Sequence, residues 1–295
     1  MKPIRRVVVA TDFSPGSSLA VERAVQLARL HGACLDLVHA FDASAWHSLR
    51  AVFDLNRLGA EPPPETERHQ RLVALAESLA SQGGLEVQSH FALGVPGVVI
   101  EARARAMNAA AVVIALRSDP AAPGISATLR RVLRSATCPV LVVRSPVAGA
   151  YQRVLTAVDL REVSMGAAAL AVGMAPTAVH RLLYVIDTAW EQEVRRGQAE
   201  TPPFSEVLES MHAQATQRLA ALAQELGQQP GVKASVDVEV VDAVAARGIV
   251  ARATAWSADC VVVGHHGHGL VAESLLGTTA LDVIHHAACD VLVVS

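Results

Sequence analysis

A chain of 295 residues that is 52% hydrophobic and only 18% charged can offset its ordering entropy by burial, which excludes disorder and gives room for two ordinary domains. Its net charge of -3, with Lys and Arg scattered, provides no basic field for a phosphate backbone, so nucleic acid is not an expected partner. Met1–Val9 lacks the apolar stretch and cleavage site of a secretory signal, and the longest apolar run, Ala167–Val179, is too short to span a bilayer, so a cytoplasmic protein without membrane contact is expected.

Apolar runs of strand length lie at Val7–Ala10, Cys34–Ala40, Leu85–Phe91, Ala111–Leu116 and Val140–Val143. Between them, apolar residues three and four apart predict helices over Ser17–His31, Glu65–Gln82, Val95–Met107 and Ser126–Ala136. This β-α-β alternation requires a parallel sheet with crossover helices, and an aromatic share of 3% leaves Val, Leu, Ile and Ala to fill the core. The second half repeats the order, with strands expected at Val154–Val158, Arg181–Ile186, Lys233–Val241, Cys260–Gly264 and Val291–Val294. Polar, Pro-containing insertions around Glu61–Pro64 and Thr201–Pro203 read as surface loops.

The halves can be laid on one another. Arg6–Asp12 matches Arg153–Asp159 at an offset of 147, and Cys138–Val143 matches Cys289–Val294 at 151, which argues for duplication. The periodicity breaks at Ser145–Ala150, so two α/β domains are expected, roughly residues 1–146 and 150–295. Cys34, Cys138, Cys260 and Cys289 form no C-x-x-C pair and read as small buried hydrophobes.

In an open parallel sheet, ligands bind at the carboxyl ends of the strands where the winding direction reverses. For the flavodoxin-like order 3-2-1-4-5, that crevice lies between the first and fourth strands of each domain. In the second half the first strand leads into Asp159, and the fourth ends in Gly264-His265-His266-Gly267-His268-Gly269, followed by Gly277-Thr278-Thr279 at the start of a helix. Glycines let backbone N–H groups approach an anion, and a helix N-terminus favours phosphate through its unpaired N–H groups and dipole. Two such cradles on one crevice suggest an oligophosphate.

The spacing Gly264-x-x-Gly267, nine residues, then Gly277-Thr278, together with Ala258–Val263 before it, resembles the phosphate-binding pattern of ATP-binding universal stress proteins. The resemblance runs over essentially the whole chain, twice, through each first strand leading to Asp, the second strands ending His39-Ala40 and Tyr184-Val185, and the closing Cys-Pro-Val-Leu-Val-Val. It implies two tandem flavodoxin-like (adenine nucleotide alpha hydrolase-like) domains and an adenine nucleotide, ATP or ADP or AMP with Mg, in the second. Asp159 would then lie by the ribose or adenine, and the main chain at Val185 would meet the adenine edge. Gly264, His265, Gly267, His268, Gly277, Thr278 and Thr279 would surround the phosphates. The resemblance also implies a stress-response regulator, domains that pair within the chain, and a possible homodimer.

The first half departs from this pattern. Asp12 is retained, but Leu116-Arg117-Ser118 follows the fourth strand, and Ser126 and Ala127 stand opposite Gly277 and Thr278. Cβ atoms would crowd a pyrophosphate there, so this copy is expected to bind no ATP. Arg117 and Arg130 are expected to be solvated surface charges. The chain lacks the G-K-[ST] ending of a P-loop and any G-x-S-x-G elbow, so a dedicated enzyme is not expected, although slow ATP hydrolysis stays open. Two further alternatives are a scaffold without nucleotide and a zinc-binding variant using His265, His266, His268, His285, His286 and Cys289. Protonated histidines beside the glycine loop would raise affinity for an anion as pH falls.

Overall fold

The computed structural model describes residues 3–42, 64–116, 124–188, 204–229, 232–233, 235–265 and 277–294. The chain divides into two compact units, Lys2–Val147 and Ala148–Ser295.

In the first unit the strands are β1 (Arg6–Ala10), β2 (Cys34–Phe41), β3 (Val87–Leu93), β4 (Ala111–Ala115) and β5 (Val140–Val143). They alternate with helices α1 (Pro15–His31), α2 (Pro64–Ser81), α3 (Pro96–Ala106) and α4 (Ala127–Ser135). All pairings are parallel and the spatial order is β3-β2-β1-β4-β5. The second unit repeats this with β6 (Arg153–Ala157), β7 (Val179–Asp187), β8 (Val236–Ala243), β9 (Cys260–Gly264) and β10 (Asp290–Val294), in the order β8-β7-β6-β9-β10. Its helices are α5 (Glu162–Met174), α6 (Phe204–Gly227), α7 (Ala245–Ala255) and α8 (Thr278–His286).

The order 3-2-1-4-5 inferred from the sequence is thus present in both copies. Central strands read as continuous apolar runs because helices cover both faces: Val8, Val112, Leu141, Leu155, Val261 and Leu292 are fully buried. The third strands start later than expected, at Val87 and Val236 instead of Leu85 and Lys233. After α2, Gly83 and Gly84 both take positive φ, 77° and 71°, so the turn uses two more residues before pairing with β2 begins. The four cysteines are free thiols, and Cys34, Cys260 and Cys289 are buried. Burial pushes the Cys138 thiol up to about 11, which suits a packing role.

The duplication extends to polar detail. On the α3 side of the first sheet, buried Asp36 on β2 receives Arg103 through Nε at 2.9 Å and Nη2 at 2.8 Å. The matching side of the second sheet carries Arg181 on β7, which meets Glu239 on β8 at 3.2 Å, while Arg252 of α7 pairs with the same carboxylate. A helix arginine anchors both copies, but its acid has moved one strand outward.

Packing is closest where α7 meets the carboxyl end of β7. A Cβ built on Gly248 would lie 2.8 Å from Ala243 Cβ, closer than side-chain carbons pack, and 3.2 Å from Val185 Cγ1, so the neighbours would have to shift. We expect Gly248→Ala to destabilise the second unit by about 1–3 kcal/mol, measured as a lower urea midpoint. An unchanged midpoint would contradict this packing.

Candidate functional site

The crevice of the second unit opens because β6 stops early. Its register runs Ala157 opposite Leu183, and one further bond, Val158 N–H to Leu183 C=O at 2.8 Å, ends the ladder. Strand β7 continues to Asp187. Odd-numbered residues of β7 point their main-chain groups towards β6, as Val179 N–H donating to Gln152 C=O at 2.8 Å shows, whereas even-numbered ones such as His180 bond β8. Val185 therefore directs its N–H and C=O into the crevice beyond the end of β6, where no described residue bonds them. Its side chain packs against α7. Alternation of strand hydrogen-bonding edges thus assigns the main chain of Val185 one role and its side chain another.

Asp159 follows at the lip, 26% exposed in its side chain. Leu160 has φ 62°, and Asp159 Oδ1 accepts the Arg161 N–H at 3.1 Å, an Asx turn that turns the chain into α5. Asp12 makes the same turn, with Phe13 at φ 62° and Ser14 N–H donating to Oδ1 at 3.0 Å. Burial opposes the Asp12 charge, but hydrogen bonds from Ser14 and Ser17 outweigh it and hold the carboxyl below its usual range.

Across the crevice β9 ends at Gly264. His265 is buried at 5% exposure, its N–H donating to Val294 C=O at 2.7 Å and its C=O accepting from Gly277 N–H at 2.9 Å. These bonds bring Gly264 and Gly277 together. Gly277 has φ -59° and ψ 141°, so its value here is the missing side chain and not a left-handed backbone. It is the N-cap of α8 and offers no side-chain acceptor, while Thr278 and Thr279 form the first turn, exposed and half-buried. Gly267 and His268 lie outside the described residues, as do His266, Arg117 and Ser118.

The first unit closes the corresponding position. Ser126 caps α4, its Oγ accepting the Leu129 N–H at 3.1 Å, and Arg130 turns back to donate from Nε to Ile125 C=O at 3.1 Å. Ser126 thus satisfies a first-turn donor of α4 from within the helix, whereas Gly277 offers the first-turn N–H groups of α8 no side-chain cap. Among the described residues no group of three or more His, Cys, Asp or Glu is placed to hold a metal ion.

The universal stress protein family profile matches residues 3–144 and again 150–295. The chain belongs to the universal stress protein family. Universal stress protein Sll1388 of Synechocystis is 37% identical over 91 residues, which make up 31% of this chain and 57% of that protein, so the similarity spans little more than half of the relative's length. Among solved structures, a functionally unknown protein, PA1789, from Pseudomonas aeruginosa superposes with a TM-score of 0.70 at 18% identity, covering 99% of this chain and 92% of its own. A universal stress protein from Archaeoglobus fulgidus gives 0.68 at 16% identity, covering 98% and 96%. At such identities these two likenesses establish the fold, with the family domain present twice in tandem.

Sequence reasoning passed over Arg161. It occupies the place of Ser14, whose Oγ caps α1 by accepting the Ser17 N–H at 3.2 Å, yet Arg161 gives α5 no side-chain cap and sets a cation, 53% exposed, at a positive helix end. Its Nε lies 3.7 Å from Asp159 Oδ2. The signal was available in the paired segments Asp-Phe-Ser and Asp-Leu-Arg. Replacing a cap and opposing the dipole each cost about 1 kcal/mol or less. We expect Arg161→Ser to stabilise the second unit by about 1 kcal/mol and Ser14→Ala to destabilise the first by a similar amount, read from urea unfolding of each variant. A destabilising Arg161→Ser would show that the arginine supports the fold.

Proposed function

We propose that the second unit binds an adenine nucleotide in the crevice between β6 and β9 and that the first does not, making the chain a nucleotide-dependent stress-response regulator. The observation that carries this reading is the contrast at the fourth helix of each copy: Ser126 satisfies α4 internally, whereas Gly277 leaves the N-terminal turn of α8 uncapped beside Gly264. The residues fit the ligand by type. Open main-chain groups at Val185 suit the donor and acceptor pattern of a base edge, Asp159 Oδ2 suits a ribose hydroxyl, and the N–H groups and hydroxyls of Thr278 and Thr279 suit phosphate oxygens. Gly264 and Gly277 keep Cβ atoms away from that approach, with Gly267 and His268 completing the loop in sequence.

Whether the nucleotide is ATP, ADP or AMP turns on how many phosphates this arrangement holds, and Mg would accompany a polyphosphate. No lysine or arginine lies between Gly264 and Thr279, so phosphate is held by N–H groups, hydroxyls and histidines. That composition supports retention of a ligand over its chemical conversion, since the glycine loop carries no lysine of the kind that neutralises a transferring phosphoryl group in P-loop enzymes. We read the protein as a non-enzymatic binder acting in the cytoplasm through partner choice, with its domains paired and a further homodimer open to it. No described helix is long and apolar enough to cross a membrane.

Isothermal titration of ATP into the intact chain is expected to give one site per chain, and Gly277→Val little or no binding, because a branched side chain would stand where phosphate approaches. Two equal sites, or undiminished binding by Gly277→Val, would contradict the reading.

A further inference from the structure

The first unit carries an aromatic and cationic cluster that nucleotide binding does not use. His39, near the carboxyl end of β2, is 2% exposed. Its Nδ1 lies 2.7 Å from the Thr11 carbonyl, which can only accept, so the proton is on Nδ1 and Nε2 is a bare acceptor. Among the described residues Nε2 is buried without a hydrogen-bond partner. The ring sits between Phe13, with centroids 4.6 Å apart, and Phe91, at 5.8 Å.

Helix α2 lies over this cluster. Its Arg71 guanidinium stands 4.7 Å from the Phe13 centroid, Arg68 stands 5.2 Å from that of Phe41, and His69 stacks on Phe91 at 5.2 Å. Of the rings bordering His39, Phe13 is thus already engaged by a guanidinium from the helix and Phe91 by the His69 imidazole. Of the other elements around it, the turn after β1 brings Asp12, α1 brings the Ser17 hydroxyl bonded to Thr11, and β3 brings only the phenyl of Phe91.

From this placement we propose that His39 is a proton-operated latch: when its imidazole takes up a second proton, α2 is released locally from β2 and β3 while the rest of the first unit stays folded. A protonated ring would add a cation beneath Arg68 and Arg71 at a position only 2% exposed, where solvent can do little to offset its charge. Among the described residues it is Asp12 that opposes that repulsion, and its carboxylate is already engaged by Ser14. Release exposes the ring to solvent, where both nitrogens are hydrated. It also uncovers Leu72 and Ala76, the buried face of α2.

The direction of the pH dependence follows. Burial, reinforced by Arg68 and Arg71, lowers the His39 pKa below its ordinary 6.5, so the closed state favours the neutral ring. Closure is undiminished above that value and weakens as pH falls below it, because the open state takes up the proton more readily. An exposed histidine titrating near 6.5, set against a closed-state ring that stays neutral, makes opening at most about tenfold more favourable at pH 5.5 than at 7.5. The second unit has no equivalent, since Tyr184 takes the corresponding place. It does hold a different buried histidine, His180, whose Nε2 lies 2.9 Å from Ala175 C=O and whose pKa burial also lowers, so any test must resolve the two units.

Hydrogen exchange with peptide-level mass spectrometry on the full chain, corrected for intrinsic rates, provides that resolution. Between pH 7.5 and 5.5, protection of α2 is expected to fall, by at most about tenfold, relative to α1. His39→Leu removes the titrating group and should abolish that difference. The double variant Arg68→Gln, Arg71→Gln keeps His39 but removes the repulsion, and should shrink the difference. Equal α2 protection at both pH values in the wild type would overturn the proposal, as would the wild-type loss retained in full in His39→Leu. If His39→Leu failed to fold, His39→Gln, which keeps a neutral donor towards Thr11 but does not titrate, would decide: the wild-type loss retained in full there would refute the latch.

Discussion

The early end of β6, with β7 continuing beyond it, is the constraint on which the candidate site rests. A parallel strand satisfies its neighbour's main chain only as far as it runs. Once the chain leaves at Val158 to enter the Asp159 turn, the groups of Val185 facing that side have no ladder to join. Filling the space with another protein segment would bury the crevice; leaving it open gives directional hydrogen-bonding groups beside a turn and a helix end. The same strand order produces the same opening in the first unit, where Ala40 occupies the place of Val185. Fold alone therefore supplies this opening twice.

What distinguishes the two copies is how each treats the exposed ends of its helices. The first unit caps α1 with Ser14 and α4 with Ser126, so the N-terminal donors on both sides of its crevice find acceptors within the chain. The second places Arg161 and Gly277 at those positions, and neither caps. Each change gives up local stability, and both fall on the copy that keeps the glycine spacing. Sites that break local rules while the surrounding fold obeys them are where function is most often found. The first unit has gathered Phe13, His39, Phe91 and two arginines at the same end of its sheet, where charge and burial oppose one another.

Much of the architecture was legible because parallel strands buried on both faces leave an unbroken apolar run, as in Val7–Ala10 and Cys260–Gly264, and because the two copies corroborate one another. Strand starts after long helices were less so: the pair Gly83-Gly84 fixes where β3 begins through backbone angles that hydropathy does not report. Within the site, Asp159 was found by position, but its engagement with the Arg161 N–H depends on a local turn, and the burial of His265 on a bond to Val294 at the other end of the unit's sequence. A histidine flanked by glycine loops reads as exposed, and only tertiary pairing reverses that. His39 was hidden for a related reason. It was read as the end of a strand, and the rings and guanidinium groups that give it a role come from Phe13, Phe91 and a helix beginning more than twenty residues later.

The central claim is that polyphosphate and base meet the bare main chain of one copy only. A crystal structure of the full chain grown with excess ATP tests it most directly. The account predicts nucleotide density along the carboxyl ends of β6 and β9, with the base against Val185 and phosphates at Thr278 and Thr279. Density confined to the first unit, or absent from both, would contradict it.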